Sequence, residues 1–216
     1  MFSKIFGKKE EVNPLENTPS IMGLRIGGSF DVDPLLLRLT ESELIVSGCS
    51  PTQIIQAAGI VDLDGTWVYR FYTDDEAFLQ VIAEGGQNDE HVVDVKLFHF
   101  YDTLEIADKA IWDEILSKKI GTPTYDLESQ TFERVWTSAS EYHNPVHMAE
   151  KTFDETGESS ETDQFTMLFE RPISGNNTES LFISAEEKLE EAGYLSRCLV
   201  ISTGITLSAA QITIHG

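Results

Sequence analysis

Positive charge is the scarcest property of this chain. Fifteen Lys and Arg stand against thirty-seven Asp and Glu in 216 residues, a formal net charge of −22. Nucleic-acid affinity rests on Lys and Arg neutralising phosphates, so the composition argues against DNA or RNA as a partner. An anionic membrane repels such a body for the same reason. The plain consequence is solubility, since net charge governs solubility and association rather than fold; an acidic surface made for a basic partner is the alternative. Cysteine is nearly absent too. Cys49 and Cys198 each sit among apolar residues and no C-x-x-C occurs, which predicts two buried free thiols in a reducing compartment. No apolar run is long enough to span a bilayer. The N-terminus has neither an apolar h-region nor a small-residue cleavage site. Both absences point to the cytoplasm.

The usual signatures of chemistry are missing as well. Gly23-Leu24-Arg25-Ile26-Gly27-Gly28-Ser29 has the spacing of a phosphate loop, but Ser29 stands where the Lys is required. The next residues, Phe30 to Pro34, do not read as a helix start. Asp62-Leu63-Asp64-Gly65 opens like a calcium loop, yet its Gly is fourth rather than sixth and Thr73 holds the twelfth position; a hairpin turn explains it. His143 and His147 have helical ligand spacing, with Glu141 or Glu150 as a third donor, but Pro145 between them opposes a helix. No metal and no cofactor is expected. There is no Gly-x-Ser-x-Gly elbow, and Cys49 with a distant His is a pairing that any cysteine protein offers.

What the chain has in quantity is short strands. Leu44–Val46, Ile54–Leu63, Trp67–Thr73 and Val92–Tyr101 are rich in β-branched and aromatic residues. Phe78–Ala83 fits a strand or a helix and is taken as a strand. Further strands are expected at 132–136, 146–153, 165–171, 181–184, 195–202 and 211–214. Asp154–Asp163 reads as a mobile loop and Gly175-Asn176-Asn177 as a tight turn. A helix is predicted over Asp108–Ile120 from the stripe Ile111, Trp112, Ile115, Leu116, Ile120, with Asp108 as its cap. A shorter helix is predicted over Ala185–Ala192, where Ser184 and Glu187 form a capping box. These elements predict an α+β fold, β-rich, with largely antiparallel sheets and one or two helices. A single domain is expected over residues 21–216.

Residues 1–20 break the acidic pattern. Lys4, Lys8 and Lys9 lie beside Phe2, Ile5 and Phe6, and Pro14 and Pro19 follow in what reads as a linker. Phe2, Ile5 and Phe6 have i, i+3, i+4 spacing, so this tail is a candidate docking element for a partner groove or for transient peripheral contact at the inner membrane. Within the body, Arg134 and Arg171 each follow Phe-Glu in a predicted strand. Alternation puts each Arg on the face opposite its neighbour, Glu133 or Glu170, so each should meet a carboxylate on an adjacent strand. Structural ion pairing is one reading; an anion-binding pair is the other.

Several segments together carry a family resemblance: Arg134-Val135-Trp136, Asn144-Pro145-Val146 leading to Glu150, Met167 to Arg171, and Ser202 to Ser208. Over most of residues 21–216 the chain resembles the YjfK-like bacterial family, which has no established biochemical activity and no agreed catalytic residues. The resemblance implies an accessory protein of a membrane-stress or envelope-maintenance system, with a phage-shock-protein-A-like protein as a possible partner. Two functions therefore stand open. One is a non-enzymatic interaction protein. The other is an enzyme or small-anion-binding protein with a site assembled from Arg134, Arg171, Glu133, Glu150, Glu170 and His143, since sites are recognised by geometry. A pocket of converging Arg and Glu side chains favours the second; a flat apolar patch beside the tail favours the first.

Overall fold

The strand ladder of this protein closes on itself. The computed structural model describes residues 14–190 and 192–215. Its strands are β1 (Ser29–Val32), β2 (Thr52–Leu63), β3 (Thr66–Thr73), β4 (Ala77–Glu84), β5 (Val92–Glu105), β6 (Thr124–Leu127), β7 (Gln130–Arg134), β8 (Val146–Phe153), β9 (Ser159–Pro172), β10 (Thr178–Leu189), β11 (Leu195–Thr206) and β12 (Ile212–His215). Eight of them form an antiparallel barrel in the order β2-β3-β4-β5-β11-β10-β9-β8. It is sealed where Ala58, Gly59 and Ile60 of β2 pair with Phe153, Thr152 and Lys151 of β8. β1 and β12 extend the sheet from the start of β2, and β7 and β6 extend it from the second half of β9. Strand accounts for 53% of the structure and helix for 12%. The fold is therefore mostly β rather than α+β, and closure removes the sheet edges that an open arrangement would expose.

Local chemistry explains most of the pieces. Asp64 and Gly65 both have positive φ, 51° and 97°, the backbone that a two-residue hairpin between β2 and β3 needs. Phe78–Ala83 is strand, as expected. The helix α2 (Lys109–Glu114) starts at Asp108, whose carboxylate accepts from the amides of Ala110 and Ile111, and it runs on into a π-helical turn at Ile115–Lys119. A second helix, α1 (Pro34–Thr40), forms where none was expected: Asp33 caps the Leu35 amide and Pro34 occupies the first turn. The expected helix over Ala185–Ala192 is absent. Residues up to Leu189 belong to β10, which pairs with β9 and β11 along both edges, so long-range pairing overrides the local capping signal. Leu44–Val46 is irregular rather than strand; the Ile45 amide bonds the buried Glu179 carboxylate. The expected loop over Asp154–Asp163 shrinks to a turn, because β9 starts at Ser159 and Asp154 accepts the Thr156 and Glu158 amides. Residues 14–20 pack on the body: Pro19 is buried and Leu15 touches the core. Phe2, Lys4, Ile5, Phe6, Lys8 and Lys9 lie outside the described residues.

Alternation gives the wall two faces. On the outside, Phe71, Leu79, Leu97 and Ile205 pack beneath Leu24, Phe30 and Leu36. Around the wall, Met167, Phe169, Leu181 and Ile183 pack beneath Trp112, Ile115, Ile120 and Phe132. The main apolar cores thus lie between the barrel and the segments that cover it, while the inside is left to a different set of residues. No helix among the described residues is long and apolar enough to cross a membrane.

Candidate functional site

The inward face of β3 carries Val68, Arg70 and Tyr72. Arg70 is 1% exposed, and it reaches across the barrel rather than along the wall. Its Nη1 donates to Glu150 Oε2 of β8 at 2.6 Å and to Gln164 Oε1 of β9 at 2.6 Å, and its Nε donates to Gln80 Oε1 of β4 at 3.1 Å. The guanidinium lies 5.1 Å from the ring centroid of Phe182 on β10 and 5.8 Å from that of Phe78 on β4. Contacts among strands that are not neighbours are possible only through the lumen, so these residues define its interior. Burial alone would lower the pKa of Arg70, but the charge of Glu150 reverses this and holds it above its ordinary value. The second oxygen of Glu150 accepts from the Tyr72 hydroxyl at 2.8 Å, and burial pushes that phenol well above its usual pKa. Gly59 makes room for the carboxylate: a Cβ there would lie 1.8 Å from Glu150 Oε1.

Apolar clusters flank this polar layer. Val61, Val68 and Met148 close one side together with Trp136. On the other side Phe78, Phe98 and Phe182 pack against one another, with Phe78 and Phe98 stacked at 5.1 Å. Gly204 faces inward opposite Phe98, and a Cβ there would stand 2.8 Å from its ring. A second ion pair lies further along, where Lys96 Nζ approaches Glu170 Oε1 at 3.1 Å and bonds Thr206 Oγ1 at 2.6 Å.

Above the aromatic layer the lumen contains a cavity of about 310 Å³, lined among others by Arg70, Phe100, Thr103, Phe182, Glu186 and Cys198. Eight-stranded barrels hold at most one small ligand in this way. Three of the lining groups lack full satisfaction. The buried Ser184 and Ser202 hydroxyls have no hydrogen-bond partner among the described residues. Glu186 receives one amide donor, Gln164 Nε2 at 3.2 Å, and makes no ion pair among the described residues. Burial raises the pKa of Glu186. Burial and the Glu186 charge also raise that of Cys198, to about 11, so this thiol is a poor nucleophile at neutral pH. Cys49, outside the barrel, is raised to about 11 by its own burial. Both cysteines are free, and both are half-buried rather than fully buried.

The sequence-selected residues divide accordingly. Glu150 and Glu170 face the lumen, paired with Arg70 and Lys96. Arg171 pairs with Glu179, Nε to Oε2 at 2.8 Å, outside the wall and over the ring of Phe132. Arg134 meets no carboxylate among the described residues; its guanidinium is occupied by the backbone carbonyls of Gly121, Trp136 and Glu141. Glu133 is exposed. The two arginines therefore do not converge on a common anion. His147 bonds Asp163 at 2.7 Å while His143 turns to the Asn144 carbonyl, and among the described residues no three His, Cys, Asp or Glu side chains gather as a metal site would need. Arg70 and Glu186 went unselected. The available signal was an Arg in the centre of an otherwise apolar strand, Trp67 to Tyr72, which implies a buried partner.

A family model described as "Protein of unknown function (DUF2491)" matches residues 1–213. The uncharacterized protein YjfK of Escherichia coli (strain K12) is 28% identical over 222 residues, covering 100% of this chain and 98% of that protein. No solved structure matches the chain.

Proposed function

We propose a ligand-binding function for this chain, which belongs to the DUF2491 family of proteins of unknown function: the barrel takes one small molecule with an apolar body into its lumen. The carrying observation is the cavity of about 310 Å³, mostly apolar, with a few polar groups converging on it from β3, β9, β10 and β11. That combination, in the mouth of a barrel, is the usual form of a small-molecule site. Catalysis has less support. The one thiol on the cavity wall is held protonated, and the one arginine has its Nε and Nη1 donors committed to Glu150, Gln164 and Gln80. The accessory role in membrane maintenance, with a phage-shock-protein-A-like partner and a docking N-terminal tail, is supported by the family resemblance and suits a ligand-responsive protein better than an enzyme.

The test is titration with N-phenyl-1-naphthylamine, an apolar dye that fluoresces when taken out of water. Saturable fluorescence at one dye per chain is expected, and Ser202→Trp, which fills the cavity, should abolish it while the protein stays folded by circular dichroism. Absence of saturable binding, or binding untouched by the tryptophan, overturns the reading.

A further inference from the structure

Resting on that reading, we infer that the lumen selects an organic cation, an amine or quaternary ammonium with an apolar body, and that Glu186 is its counter-charge. The argument begins with what the cavity cannot offer. An anionic ligand needs free donors, and the lumenal guanidinium offers few: Nε serves Gln80, Nη1 serves Glu150 and Gln164, Nη2 points at the Met148 sulfur 3.6 Å away, and rings flank the group. Lys96 is likewise engaged by Glu170 and Thr206. The lumenal arginine is matched by Glu150 and the lysine by Glu170 and, at 3.9 Å, Asp94, while Glu186 makes no ion pair of its own among the described residues.

Glu186 is placed to act. It lies on the cavity wall opposite Cys198 in the register of β10 and β11. The Gln164 amide donates to it while also serving Glu150 at 2.7 Å, and the nearby Ser184 hydroxyl and the charge of Arg70 favour its ionised form as well. A largely desolvated carboxylate whose nearest cation, Arg70, is already paired with Glu150 is costly, and an ammonium supplied by a ligand relieves that cost. The rest of the wall suits the same head group. Phe78 lies 5.5 Å from Phe100, 5.7 Å from Tyr72 and 6.4 Å from Phe182. Rings grouped in this way present electron-rich faces to a cation, the arrangement that recognises quaternary ammonium groups. The overall charge of −22 concentrates cations near the protein before they enter.

The experiment displaces bound N-phenyl-1-naphthylamine with three competitors sharing one alkyl chain: octyltrimethylammonium, octanol and octanoate. The cation is expected to displace the dye at a concentration at least tenfold below octanol, with octanoate weaker than octanol. Glu186→Gln should remove the preference and bring cation and alcohol together. Glu187→Gln, on the outer face beside Arg197, should leave it intact. If octanol or octanoate competes as well as the cation, or if Glu186→Gln leaves the preference unchanged, the cation assignment fails while the lumen remains the dye site. If the dye does not bind at all, the lumenal reading itself fails.

Discussion

At the scale of single residues, the lumen depends on the pairing of Arg70 with Glu150. Arg70→Met removes the charge and leaves a carboxylate in a site 1% exposed with no compensating cation. Breaking one side of a buried pair costs about 3–5 kcal/mol, which in a chain of this size lowers Tm by roughly 10 °C. The double variant Arg70→Met, Glu150→Leu should recover part of the loss, because it buries apolar groups where the single variant strands a charge. Thermal melts of the three proteins check this; a single variant within about 1 kcal/mol of the parent would refute the pairing as a source of stability. Part of this was legible in the sequence. Glu150 and Glu170 were selected, but for the wrong company: their cations, Arg70 and Lys96, are 80 and 74 positions away in the chain, and no local pattern reports a contact across a barrel. Glu186 is masked by the local capping signal of Ser184 and Glu187, which favours a helix where the chain forms β10.

At the scale of elements, local signals succeeded where nothing longer-ranged competed. The Asp64-Gly65 turn and the capped helix after Asp108 both form as their residues dictate. Asp108→Ala should cost about 1 kcal/mol through the lost cap, a fall in Tm of roughly 2–4 °C, because its carboxylate satisfies the amides of Ala110 and Ile111. Asp108→Asn should cost much less, and a melt in which both variants lose equally would assign the effect to something other than capping. Signals failed where pairing decides. Ser184-x-x-Glu187 imitates a capping box, yet Ser184 and Glu186 face the lumen while Ala185 and Glu187 face out. Strands buried on both faces also lose the apolar–polar alternation that would reveal which side is inside. The burial of β3 and β4 is nearly continuous, so strands could be read from the sequence while their closure into a barrel could not.

At the scale of the whole molecule, excess negative charge and buried carboxyls act in the same direction on pH. Glu186, Glu179 and Asp94 all have raised pKa values, with burial the largest cause in each case. The folded state therefore keeps protons at pH values where the unfolded chain has released them, and over that window stability falls as pH rises. His99 opposes them. Burial lowers its pKa from 6.5, so below that value the unfolded chain takes a proton that the folded state refuses, and stability is lost as pH falls. Asp31, Glu43 and Asp154 are lowered by hydrogen bonds; their contribution is lost only as pH falls through and below the ordinary carboxylate range. Protonation on the way down also relieves the self-repulsion of a chain carrying −22. One buried and two half-buried carboxyls and the relief of repulsion outweigh one histidine, so Tm should rise by several degrees between about pH 7.5 and about pH 5.5. Added salt separates the two causes. It screens surface repulsion and leaves buried groups largely untouched, so the rise should shrink in high salt without vanishing. A Tm that falls steadily over this range at low salt would show that His99 and the surface ion pairs outweigh the buried carboxyls, and a rise abolished by salt would assign the whole effect to surface charge.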